Sequence, residues 1–124
     1  MIERSFPIIA TRQLPRAIAF YRDALGGEVV YRFPPSGDPE YVTVRLGSSW
    51  IGLTHDAFAP ADGATGFELC AYVDDVDAAV SKLRAVGARV VDEPADRPWG
   101  ERMARIADPD GNRIALFAEI DQAS

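Results

Sequence analysis

In the stretch LPRAIAFYRDALG, residues 14–26, apolar side chains fall at Leu14, Ile18, Tyr21 and Leu25. That spacing gathers them on one stripe of a helix, with Pro15 just inside its start and Gly26 placed for a left-handed C-cap. Residues 76–87 repeat the scheme: Val76, Val80 and Leu83 make the stripe, Asp74 or Asp75 can cap the start, and Gly87 closes it. Short strand-like runs surround both helices. SFPIIAT precedes the first helix and FELCAYV the second; GEVVYRF, YVTVRL and SWIGLT follow the first, and ARVVDE, ERMARIA and NRIALFAEI follow the second. Before the last run, Asp108, Asp110 and Asn112 in DPDGN are turn formers, with Pro109 presetting one dihedral and Gly111 accepting a positive φ.

The order is βαβββ followed by βαβββ, with copies roughly sixty residues apart, a period too long for a solenoid. The fold class expected is α+β: two βαβββ modules in tandem within one domain, 1–124. Module one covers about 1–57, a Gly- and Pro-containing linker about 55–66, and module two about 67–121. One face of each sheet must cover the apolar stripe of its helix. The other face is left to curve round a cup or to meet a partner. FPPSGDPE, residues 33–40, is a proline-broken excursion between two strands, and exposed loops on a rigid sheet are where binding residues concentrate.

Thirteen Lys and Arg against 19 Asp and Glu leave a net charge of −6, which repels phosphate backbones and anionic membranes and favours cationic partners. No apolar run is long enough to span a membrane, and the opening MIERSFPIIATRQ lacks the apolar core of a signal peptide. Neither a nucleic-acid nor a membrane partner is expected. One cysteine cannot form an internal disulfide, which points to a reducing cytoplasm. With one histidine and one cysteine, any metal site would have to be built mainly of carboxylates.

Several side chains invite both a packing and a binding role. Tyr31 and Tyr41 lie on strands, where aromatics commonly pack, yet an amphipathic ring also suits a ligand. Trp50 shares a strand face with Gly52 and can line a pocket or a dimer core. Trp99 stands in a turn between Pro98 and Gly100, where an exposed indole needs a reason. Glu68 points to the same side as Cys70 and Tyr72, opposite Phe67 and Leu69. It must be partnered, by an arginine such as Arg105 or Arg113, or protonated, or waiting for a cation. Cys70 reads as a small buried hydrophobe, with His55 away in the linker and unable to activate it.

The layout, with AIAFYRDALGG in the first half, YVDDVDAAVSKLRAVGA in the second and PWGERMARIADPDGNRIALFAE at the end, resembles the vicinal oxygen chelate superfamily. That superfamily holds glyoxalase I, ring-cleaving dioxygenases, fosfomycin-resistance enzymes and bleomycin-resistance proteins. Its catalytic branches place metal ligands on the first and last strands of the modules. The resemblance puts Phe6, Gly52, Glu68 and Ala115 at those places, of which only Glu68 could donate to a metal. It therefore implies no metal and no cofactor, and points to the bleomycin-resistance proteins, which bind a drug without chemistry.

In those proteins a proline lets the first strand cross to a partner subunit, and Pro7 matches it; the resemblance implies a homodimer, with the strand exchange left open. Gly27 stands where an aromatic is usual. The expectation is a metal-free homodimer that sequesters a planar, cationic or neutral aromatic compound. Tyr31, Tyr41, Trp50 and Trp99 supply rings, Phe6 apolar lining, and Glu68, Asp38 and Glu40 negative charge. The enzyme alternative is a divalent-metal-dependent glyoxalase-like lyase or isomerase, or a dioxygenase, with an atypical site around Glu68 and further ligands from Glu101, Glu119 or His55. A third class, a ligandless partner domain, expects a collapsed cup filled by Trp50, Phe6 and Tyr72.

Overall fold

Pro15 sits in the first turn of helix α1 (Leu14–Ala19), where its missing N–H forfeits no hydrogen bond. The helix does not run on to Gly26 as a regular α-helix. From Phe20 to Ala24 it widens into a π-helical turn, in which the Leu25 N–H bonds the Phe20 carbonyl at 3.0 Å. The wider turn carries Phe20 and Tyr21 into the core together, their rings edge to face at 5.3 Å. Leu14, Ala17 and Ile18 complete the buried stripe. The computed structural model describes residues 1, 3–59 and 68–120. The latter part of the expected linker and Phe67 lie outside those residues.

By its internal contacts the chain divides into two units, Met1–Ala61 and Asp62–Ser124. The first holds strands β1 (Ile8–Thr11), β2 (Glu28–Phe33), β3 (Tyr41–Leu46) and β4 (Ser49–His55) in the order β1-β4-β3-β2. β1 runs parallel to β4 and the other neighbours are antiparallel. Val42, Val44, Ile51 and Leu53 are buried on one side of this sheet, and α1 packs against β4. His55 is the last residue of β4, so it belongs to the sheet and not to a linker.

The second unit repeats the arrangement. Its strands are β5 (Glu68–Tyr72), β6 (Arg89–Asp96), β7 (Glu101–Ala107) and β8 (Arg113–Glu119), in the order β5-β8-β7-β6 with β5 parallel to β8. Helix α2 (Val76–Ala85) buries Val76, Val80 and Leu83, the stripe its spacing predicts, and packs on β6, β7 and β8. Asp75 is its cap, accepting the Ala78 N–H at 3.0 Å. The β7–β8 turn closes round Asp108: one carboxylate oxygen accepts the N–H groups of Asp110 and Asn112 at 2.9 and 2.8 Å, and the other accepts the Asn112 side chain at 2.8 Å. Two four-stranded sheets, each with one helix, in tandem βαβββ order are the α+β architecture the hydrophobic pattern predicts.

Candidate functional site

Alternation along the first unit's strands turns Ile8, Tyr31, Tyr41, Thr43, Trp50 and Gly52 away from the buried side of the sheet. A bulge between Val29 and Tyr31 shifts β2 by one residue and brings Tyr31 opposite Thr43. The rings of Tyr31 and Tyr41 then face each other at 6.0 Å, tilted by 59°. Tyr31 stays 54% exposed. The Tyr41 ring leans over Gly52: a Cβ there would meet its Oη at 2.6 Å and Cγ1 of Ile8 at 3.0 Å. Thr43 donates its hydroxyl to Tyr41 Oη at 2.9 Å and fixes the ring's lean.

Trp50 lies on the same side, half-buried, with the Arg4 guanidinium 4.7 Å from its ring centre, a cation–π contact within the chain. Phe6 precedes β1 and is exposed. Asp38 and Glu40 are exposed in the β2–β3 loop, and among the described residues neither forms an ion pair. Arg32 shapes that loop, donating from Nε to the Pro34 carbonyl at 3.1 Å and from its terminal nitrogen to the Gly37 carbonyl.

In the second unit Glu68, Cys70 and Tyr72 alternate on the exposed side of β5. β7 lies two strands away, about 10 Å at ordinary strand spacing. Arg105 nevertheless reaches Glu68 from β7, crossing β8 beside its register partner Ala115, whose methyl leaves the path open. Its Nε donates to the Glu68 carboxylate at 2.6 Å and a terminal nitrogen to Asp92 at 3.0 Å. These bonds raise the already high pKa of Arg105, so its charge is permanent.

Of the four places that the resemblance assigns to metal ligands, three hold Phe6, Gly52 and Ala115, and the fourth, Glu68, is engaged by a guanidinium. A divalent metal needs several free oxygen or nitrogen donors, and this set does not fit one. Among the described residues no three His, Cys, Asp or Glu side chains gather in a way that could hold a metal.

Cys70 corrects an expectation. It is exposed, on the same side of β5 as Glu68 and Tyr72. Its thiol pKa is nonetheless raised, chiefly by desolvation and secondarily by the Glu68 charge, against the opposing pull of Arg105. A thiol held in its protonated form is a poor nucleophile.

A second cluster lies at the other end of this sheet. Tyr72 donates its hydroxyl to one oxygen of the Glu101 carboxylate at 2.6 Å, and the Trp99 indole donates to the other at 2.8 Å. The Tyr72 ring also faces Phe117 at 5.7 Å. The bond to Glu101, and the charges of Glu101 and Glu119, hold the Tyr72 phenol above its ordinary pKa.

The residues singled out from sequence thus fall into separate groups. Tyr31 and Tyr41 are brought together, and Trp50 lies on their side of the sheet. Glu68 and Trp99 are not brought together: four residues of β5, roughly 13 Å, separate Glu68 from Tyr72, the tyrosine on Trp99's carboxylate. The role of Tyr72 and Glu101 as one unit with Trp99 was not read from sequence. The available signals were period-2 spacing, which puts Tyr72 on the face of Glu68, and the two-residue step from Trp99 to Glu101.

Residues 5–116 match the family described as the Glyoxalase/Bleomycin resistance protein/Dioxygenase superfamily. CFP32 of Mycobacterium bovis, which carries a provisional glyoxylase name, is 31% identical over 108 residues, 86% of this chain and 39% of its own length. The chain therefore spans about two-fifths of that first curated relative. A Synechocystis sp. protein named as a probable lactoylglutathione lyase is 30% identical over 118 residues, covering 89% of this chain and 90% of that one. Among solved structures, the bleomycin resistance determinant encoded on transposon Tn5 superposes with a TM-score of 0.72 at 23% identity, covering 95% of this chain and 98% of that one, a likeness of fold.

Proposed function

This chain belongs to the Glyoxalase/Bleomycin resistance protein/Dioxygenase superfamily, and from that premise we propose that it binds a planar aromatic compound by ring stacking and makes or breaks no bond in it. The observation that carries this is the Arg105 guanidinium seated on Glu68. The one acid among the four family ligand places already has its counter-cation, so the superfamily's metal chemistry lacks its ligands here. What remains on the exposed sides of the sheets is aromatic: Tyr31 beside Tyr41 with Trp50 on the same side in one unit, and Trp99 in the other. Flat ligands gain dispersion on such faces, and a cationic one gains the ring quadrupole as well. Asp38 and Glu40, whose carboxylates form no ion pair among the described residues, supply steering charge next to Tyr41, while Glu68 serves Arg105. The binding unit is a homodimer, and protection of a cell from the compound is by mass action.

The enzyme reading is supported by the names of two relatives, the glyoxylase name of CFP32 and the lyase name of the Synechocystis protein. It requires a divalent metal and predicts activity that chelator removes.

A thermal-shift series in chelator, with glycopeptide, mitomycin-like and aromatic cationic compounds, separates the two. A binder at a hundredfold excess over its Kd stabilises the protein by about 2.7 kcal/mol, so the midpoint rises by several degrees with dose. Tyr31→Ala reduces the rise. A midpoint that no compound moves until Zn2+, Mn2+, Ni2+ or Fe2+ is added contradicts the proposal.

A further inference from the structure

We propose, building on the ring-stacking function above, that Tyr72, Trp99 and Phe117 with the carboxylates of Glu101 and Glu119 form a separate subsite for a substituted ammonium group, the positive head of an organic cation. The sequence leaves Glu68 to such a charge or to an arginine partner, and Arg105 occupies it.

Most acids of the second unit are already engaged, while Asp74, Glu101 and Glu119 form no ion pair among the described residues. Glu68 and Asp92 share Arg105, Asp77 and Asp96 share Arg102, and Glu93 pairs with Arg84. Asp75 caps α2, and Asp108 builds the β7–β8 turn. Glu101 and Glu119 stand directly opposite each other in the β7–β8 register, and among the described residues neither forms an ion pair. Like charges in that position repel and weaken a sheet. The nearby Arg97 bonds the Glu101 carbonyl through its backbone N–H at 2.7 Å, but it makes no ion pair with either carboxylate among the described residues.

Glu101 is instead gripped by two neutral donors, Tyr72 and Trp99, one on each oxygen. Neutral donors orient a carboxylate without cancelling its charge, and each oxygen keeps a lone pair for another partner. The same two bonds pin the rings that make them. Tyr72 is 69% and Trp99 61% exposed, so their faces are open to a ligand, and Phe117 packs beside Tyr72. Rings fixed around an uncancelled negative charge suit an alkylated ammonium. It gains cation–π attraction and Coulomb energy, and it demands no hydrogen bonds in return. A strongly hydrated metal ion would gain little from the rings.

Choline and its uncharged carbon isostere, 3,3-dimethylbutan-1-ol, test this on the full chain at low salt. The readouts are the Kd and the two indole N–H resonances in NMR, assigned with Trp99→Phe. The expected result is choline binding at least tenfold more tightly than the isostere and shifting the Trp99 resonance but not that of Trp50. Glu101→Gln weakens choline about tenfold and the isostere less, since the lost charge acts on choline alone while the lost ring bond acts on both. Glu119→Gln, at an exposed residue with no described hydrogen bond, weakens choline about threefold in a fold with no lost contact.

Equal affinity for choline and the isostere, or wild-type affinity in both variants, overturns the subsite. So does a Trp99 resonance that moves with protein concentration alone, which means a second copy covers the rings. If a planar aromatic compound binds through Tyr31 while choline leaves Trp99 untouched, the ammonium subsite is wrong and the stacking function stands. If neither class of compound binds, both are wrong.

Discussion

The Cys70 thiol sits between Glu68 and Tyr72 on the exposed side of β5, within the field of a carboxylate and a guanidinium. Alkylation needs the thiolate, so reactivity follows the thiol's ionisation. Since desolvation and Glu68 raise its pKa, the iodoacetamide rate should reach half its maximum at a pH above that of an ordinary thiol. Glu68→Gln removes a like charge and frees Arg105 to act on the thiolate, and both changes lower the midpoint. A profile centred below that of an ordinary thiol, or unmoved by Glu68→Gln, would contradict the local electrostatics described. Gly27 is a second case. It departs from an aromatic usual in the resembling family, and a Cβ there would lie 2.7 Å from the Tyr21 carbonyl and 2.6 Å from Cγ1 of Val44. Backbone cannot yield as a side chain can, so Gly27→Ala should destabilise the fold by about 1–3 kcal/mol, measured by urea denaturation. Sequence could note that departure but not explain it, because the obstruction comes from Val44 on β3 and from a π-helical turn that no local pattern announces.

At the scale of elements, the 3.6-residue stripes and the Gly-closed ends of both helices were legible in the sequence, as were the eight strands among the described residues. Asp75 as a cap and Asp108, Asp110 and Asn112 as turn formers follow from local chemistry, which a sequence carries openly. Asp108→Ala removes three hydrogen bonds from the β7–β8 turn and should lower stability by about 1–3 kcal/mol, more than the ~1 kcal/mol expected of Asp75→Ala. Comparing the two denaturation midpoints checks the ranking. The π-helical turn was not legible, since no local pattern distinguishes it from a further α-helical turn. The candidate site was legible only in part. Tyr31 and Tyr41 meet because of a bulge that sequence does not announce; Arg105 was legible as one of two candidate partners of Glu68, and the strand order β5-β8-β7 is what selects it over Arg113. Pairings that skip a strand depend on topology and on the small residue being crossed, here Ala115.

Over the whole molecule, a net charge of −6 attracts cations to the exposed rings and repels anionic substrates, so affinity for a cationic ligand should fall with salt. Arg4 already supplies a cation to Trp50, and a ligand stacking there must displace it; Arg4→Ala should therefore tighten ligands that quench Trp50 and leave others unchanged. The most direct measurement is a calorimetric titration of a planar aromatic cation into the protein in chelator, repeated with excess Zn2+ or Mn2+, with the compound recovered afterwards. Ring stacking without a metal predicts saturable binding, one Kd in both buffers and a compound returned intact. Binding or conversion that begins only when the metal is added would contradict it.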